Sequence, residues 1–212
     1  ESCIICHQDQ GAVGHQAIYN DYVDTTLAIT IDSVVSVASA TPGQFDTTVE
    51  FTVLKNGQPY TLTGSNNFRT EFDQETVYTV LYSSAARTFG VPKNFLPATS
   101  TIPTSLGNGQ FSITGTGLTY APESSNALVF IYVAKGRLDT EGMALYGDVA
   151  NIGQEFGDVN TYASTANVSG CEKCHGAPYR KHGYRMAAVS GLPDFAACKP
   201  CHYDNRTGGH EA

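Results

Sequence analysis

Between residues 25 and 160 the chain alternates apolar and polar positions with a period of two. "LAITIDSVVSV" (Leu27 to Val37), "TVEFTVL" (Thr48 to Leu54), "TVYTVLY" (Thr76 to Tyr82) and "FSIT" (Phe111 to Thr114) are β-branched or aromatic runs bounded by turn residues. That is the pattern of strands with two chemically different faces. "ALVFIYVA" (Ala127 to Ala134) is apolar throughout and reads as a strand buried on both sides. "LKNGQPY" places Asn56-Gly57 between two runs, a strong hairpin signal. "FGVPKNFLPATSTIPTSLGNG" (Phe89 to Gly109) holds three prolines and reads as a long loop or a crossover between strands. Amphipathic stretches of helical length are absent. The pattern predicts a mainly β fold, an antiparallel sandwich or Greek-key barrel, with its aromatic residues in the core or at strand edges.

The flanks carry different chemistry. All six cysteines lie outside this region, in three copies of one pattern: Cys3-x-x-Cys6-His7, Cys171-x-x-Cys174-His175 and Cys198-x-x-Cys201-His202. C-x-x-C-H is the attachment signature of c-type haem. Residues three apart on one helical turn point the same way, so two thiols can reach the two vinyl groups on one porphyrin edge. The following imidazole then lies under the iron. A four-cysteine zinc site built from Cys171, Cys174, Cys198 and Cys201 fits ribbon spacing, but it leaves the histidines unexplained and Cys3 and Cys6 without a role. With six histidines in 212 residues, chance placement of one after every pair has odds on the order of one in forty thousand, against a motif that requires it. Three disulfides would each close a tight loop and staple nothing distant. The chain therefore divides into an N-terminal single-haem arm (1–24), an antiparallel β domain (25–165) and a C-terminal two-haem segment (166–212), the flanks being irregular haem-binding segments.

The remaining histidines give an independent count. Removing His7, His175 and His202 leaves His15, His182 and His210, each seven or eight residues after its nearest motif. Three irons need three sixth ligands, and three histidines remain. The competitors are the two methionines, Met143 in a strand-like stretch and Met186 as a packing residue. Bis-histidine ligation at all three irons is the expectation. Spacing does not assign the distal ligands: His182 can serve its own motif or the haem on Cys198 and Cys201, and the ligands can be exchanged between copies.

Composition adds compartment and partner class. The formal charge is −8, from 12 Lys+Arg against 20 Asp+Glu, which argues against a nucleic-acid partner. The longest apolar run falls far short of the roughly 18 residues of a membrane span. Covalent haem attachment takes place outside the cytoplasm, so a signal peptide is expected to have been removed ahead of "ESCIICH". An extracellular or cell-surface location follows, with the periplasm as the alternative.

"SVASATPGQFDTTVEFTVLKNGQPYTL" followed by "CEKCHGAPYRKHGYR…ACKPCHYDN" resembles the OmcA/MtrC-type outer-surface multihaem cytochromes. In that family a small β barrel alternates with haem domains in which C-x-x-C-H-G is followed by H-G and an arginine, then by a second C-x-x-C-H. His175-Gly176, His182-Gly183, Arg185 and Cys198-x-x-Cys201-His202 match. The family carries more haems in longer clusters, and its haem domains are not split across a β domain. The layout also resembles small cytochromes that polymerise into extracellular conductive filaments. The resemblance implies extracellular electron transfer, with other multihaem cytochromes, minerals or electrodes as acceptors. Competing readings are a monomeric or periplasmic carrier, a haem reductase with one open iron, and a mineral-binding terminal protein. One motif at residues 3–7 and two near the other end suggest either clustering within one subunit or a head-to-tail homopolymer. The polymer is the favoured expectation.

Overall fold

The computed structural model describes residues 26–138 and 144–204. The alternating runs form strands, in chain order β1 (Leu27–Ala38), β2 (Phe45–Lys55), β3 (Gln58–Pro59), β4 (Gln74–Ser83), β5 (Thr88–Phe89), β6 (Lys93–Asn94), β7 (Thr104–Gly107), β8 (Gln110–Leu118), β9 (Ala127–Leu138) and β10 (Ala144–Phe156). One sheet has the order β1-β2-β8-β7, with β3 paired to β2. The other has the order β10-β9-β4-β5, with β6 paired to β4. All ladders between these strands are antiparallel. The β2–β3 hairpin turns at Asn56 and Gly57, both with positive φ, as the Asn-Gly pair predicts.

Period-two alternation sends Leu27, Ile29, Val49, Phe51, Val53, Phe111 and Ile113 from the first sheet inward. They meet Val77, Val129, Ile131, Val133 and Ala150 from the second in one apolar core. Phe51, Phe68 and Phe111 pack there with ring centres 4.9 to 5.8 Å apart. The edge strands β1 and β10 lie against each other at one corner, but among the described residues no ladder joins the sheets. No barrel closes, which corrects the barrel alternative. Among the described residues, the two sheets meet through the side chains of their shared core, with no backbone ladder between them.

The Phe89–Gly109 stretch carries β5, β6 and β7 and crosses from the second sheet to the first. Arg69, on the single-turn helix α1 (Phe68–Glu71), ties it down by donating to the carbonyls of Thr101, Leu96 and Ala98. Beside it Glu71 is buried at 2 % exposure. It accepts from Tyr60 Oη, the Thr63 backbone and hydroxyl, Asn66 and Lys135 Nζ. Burial pushes its pKa up, but these hydrogen bonds outweigh that effect and bring the carboxyl down to about 2.

β9 explains its uninterrupted apolar run. Every residue from Ala127 to Ala134 is buried. Val129, Ile131 and Val133 face the inter-sheet core, while Leu128, Phe130 and Tyr132 belong to a second cluster on the outer face. Val80 and Tyr82 of β4 join that cluster, which is covered by Val189, Ala196 and Ala197 and flanked by Tyr184, Met186, Leu192 and Tyr203. The C-terminal segment thus packs across the second sheet, and it holds the helix α2 (Val168–His175) and the hairpin strands β11 (Arg180–Lys181) and β12 (Arg185–Met186). Among the described residues no helix is long and apolar enough to cross a membrane.

Candidate functional site

The first C-terminal motif is wound on α2. Asn167 caps the helix by accepting from the Gly170 N–H at 2.6 Å, and the Val168 N–H is held by Asp194 Oδ2 at 3.1 Å. Both are the orphan donors that a helix start must satisfy. Cys171 and Cys174 stand one turn apart, with His175 exposed at the last helical position. Gly176 ends the helix at φ 80°, its N–H donating to the Glu172 carbonyl. That conformation favours glycine, a local reason for Gly after the motif. Glu172 accepts from the Tyr179 N–H at 3.1 Å, and the Tyr179 ring lies 5.3 Å from that of His175.

The second motif follows a 3-10 turn at Ala196–Cys198. The N–H groups of Cys201 and His202 both donate to the Cys198 carbonyl, at 3.1 and 3.0 Å, so Cys198 to His202 also form a single helical turn. Ala196 and Ala197 fix that turn to the outer face of the second sheet. Lys199, buried beside Phe89 and Tyr162, donates to Asp204 at 3.1 Å, and Asp204 accepts from the Phe89 N–H at 2.7 Å. Cys171, Cys198 and Cys201 are half-exposed and outside any disulfide, so the disulfide alternative does not apply to them.

His182 occupies the tip of the β11–β12 hairpin, where it and Gly183 both take positive φ. Asn151 of β10 clamps the hairpin, donating to the Tyr184 carbonyl at 3.0 Å and accepting from the Met186 N–H at 3.2 Å. This places His182 opposite His202, with ring centres 6.5 Å apart and ring planes 11° apart. Two imidazoles on opposite sides of one iron have ring centres about 6 Å apart, from two metal–nitrogen bonds of about 2.0 Å and about 1.1 Å from each nitrogen to its ring centre. The observed ring-centre separation is close to that value, and His182 is a ring neighbour of His202.

Arg185, one residue beyond Tyr184, reaches the same turn. Its Nη1 donates to Cys201 Sγ at 2.7 Å and its Nη2 to Tyr132 Oη at 3.0 Å, and its guanidinium lies 4.8 Å from the Tyr132 ring centre. Burial alone would favour neutral Arg185, but Tyr132 and Cys201 outweigh it and push its pKa above the ordinary value. Burial also pushes the hydroxyls of Tyr132 and Tyr78 up, so both stay neutral. Cys201 Sγ lies 3.8 Å from Tyr78 Oη.

Cys3, Cys6, His7, His15 and His210 lie outside the described residues, as does Met143. Among the described residues no three of His, Cys, Asp and Glu gather as a free metal-ion site. Sequence reasoning missed Tyr78, Tyr132 and Asn151 as neighbours of the motif. Their only signal is that they occupy outward positions of strands whose outer face proves to be buried. No family model matches this sequence, and no curated protein matches it.

Proposed function

We propose that this chain carries three covalent c-type haems and transfers electrons. Cys3 and Cys6, Cys171 and Cys174, and Cys198 and Cys201 hold the porphyrins, and His7, His175 and His202 are the proximal ligands. The observation that carries the reading is His182 beside His202, their ring centres 6.5 Å apart and so near the spacing of two imidazoles across a metal, next to a helical turn that carries Cys198 and Cys201. A haem c iron with two imidazole ligands exchanges single electrons and leaves no position free for a substrate. The chain's part is positional. The Asn151 clamp aims His182, the Ala196–Ala197 contact seats Cys198 and Cys201, and Asn167 and Gly176 shape the turn under Cys171. His15 and His210 are then the distal ligands left for the irons at His7 and His175.

Covalent attachment outside the cytoplasm supports an exported protein, acting at the cell surface or beyond it. Motifs on both sides of the β domain support head-to-tail association of copies into a filament with a continuous haem chain. In that arrangement other multihaem cytochromes, minerals or electrodes accept the electrons, and the β domain braces the haem layer.

The experiment is His182→Ala in the intact protein. Attachment depends on the thiols, so the haem count is expected to stay unchanged while one iron becomes high-spin and binds carbon monoxide. Three irons that stay low-spin and unreactive refute the ligand assignment. Electron microscopy of the native protein tests assembly: filaments are expected, and a stable monomer with three six-coordinate irons refutes the polymer.

A further inference from the structure

We infer that Arg185 is the residue that raises the reduction potential of the haem on Cys198 and Cys201, an inference resting on the haem reading above. The Cys201 sulfur is a thiol here and stands in for the thioether sulfur of the attached cofactor. Arg185 Nη1 lies 2.7 Å from that atom, so its charge sits at the porphyrin periphery.

Three observations make this charge effective. The ion pairs among the described residues join Lys55 to Asp148, Arg69 to Glu75, Lys135 to Glu71 and Lys199 to Asp204. Arg185 takes part in none of them, so no described carboxylate cancels its charge. The side chain is half-buried between Tyr132 and Tyr184, 4.8 and 5.6 Å from their ring centres, where solvent screens a charge less than at the surface. Its Nε is buried with no hydrogen-bond partner among the described residues, and Tyr132 Oη fixes the fork by accepting from Nη2. Stacking on aromatic rings and the grip on its fork hold the arginine charge in one place beside the sulfur. Lys199, a buried cation of the same segment, is paired to Asp204 and directed at Phe89 and Tyr162. Arg185 is the cation that touches Cys201 Sγ.

The sign follows from electrostatics. Oxidised haem carries one more positive charge than reduced haem. A fixed cation nearby disfavours the oxidised form and raises the potential. Beside Cys171 stand Lys173 and Glu172, which accepts from the Tyr179 N–H. Arg185 thus distinguishes the Cys198–Cys201 haem by a guanidinium held against its attachment sulfur.

The test is spectroelectrochemical titration of the intact holoprotein, wild type against Arg185→Met, Arg185→Gln and Arg185→Lys, with the haem count measured for each. Met and Gln are expected to keep three haems and low-spin spectra while the potential of one haem falls. Lys, which keeps the charge, is expected to restore most of that potential. Unchanged potentials in haem-replete Met and Gln variants overturn the proposal. So does a fall in the Lys variant as large as in Met, which would assign the effect to packing. Should Met lose its haem, Gln carries the comparison. Haem loss from both neutral variants with retention in Lys makes Arg185 a folding group and also overturns it. A wild-type chain without covalent haem fails the functional reading before any variant is compared.

Discussion

Phe130→Ala tests whether the C-terminal segment, proposed to bear two haems, is built onto the β fold or merely tethered to it. Phe130 is fully buried, yet it points away from the inter-sheet core and into the cluster closed by Val189, Ala196 and Ala197. Its ring centre lies 5.8 Å from that of Tyr132, which in turn holds Arg185. Deleting a buried Phe side chain costs about 3–5 kcal/mol, from lost transfer energy and the cavity left behind. For a chain of this size that lowers Tm by on the order of 10 °C. Chemical unfolding followed by far-ultraviolet circular dichroism for the sheets, and by Soret dichroism for the haem environment, reads the two parts separately. Both signals are expected to shift together and to about the same extent. A loss below about 1 kcal/mol, or a Soret transition that moves while the sheet transition stays, would refute the shared packing.

Acid should expose Glu71. Its pKa is about 2 in the folded chain against 4.5 in the unfolded chain, so its contribution is present above pH 4.5 and lost as pH falls from there toward 2. Up to about 3 kcal/mol is at stake; Glu71→Gln should flatten this part of the stability profile, and an unchanged slope would contradict the assignment. Gly153→Ala should loosen the segment without touching any ligand, because a Cβ there overlaps the Leu192 side chain. The expected loss is about 1–3 kcal/mol, read as a lower denaturation midpoint, and an unchanged midpoint would show that Leu192 moves aside freely.

Much of the β fold was legible because one face of most strands meets the core and the other meets water, as at Val49, Phe51 and Val53. The Asn56-Gly57 turn was equally plain. β10 was not, because Asn151 and Gly153 sit where an apolar or ordinary polar residue would complete the alternation. Asn151 clamps the hairpin, and Gly153 lets Leu192 and Gly191 approach the strand. The two-sided burial of Ala127 to Ala134 was readable, but what covers its outer face was not, since Val189, Ala196 and Ala197 are small, scattered and outside any periodic element. Sequence spacing puts His182 seven residues from His175, and nothing one-dimensional reveals that a three-residue turn, with His182 and Gly183 at positive φ, brings it beside His202. Arg185 stood out in sequence only through resemblance, and its place beside Cys201 depends on Tyr132, 53 residues away along the chain.

The most direct measurement is a pyridine haemochrome assay on the purified protein, combined with its visible absorption spectrum. The account predicts three covalent haems per chain, all low-spin, with no methionine–iron charge-transfer band. A protein with no covalent haem, or with zinc held by its cysteines, would contradict it.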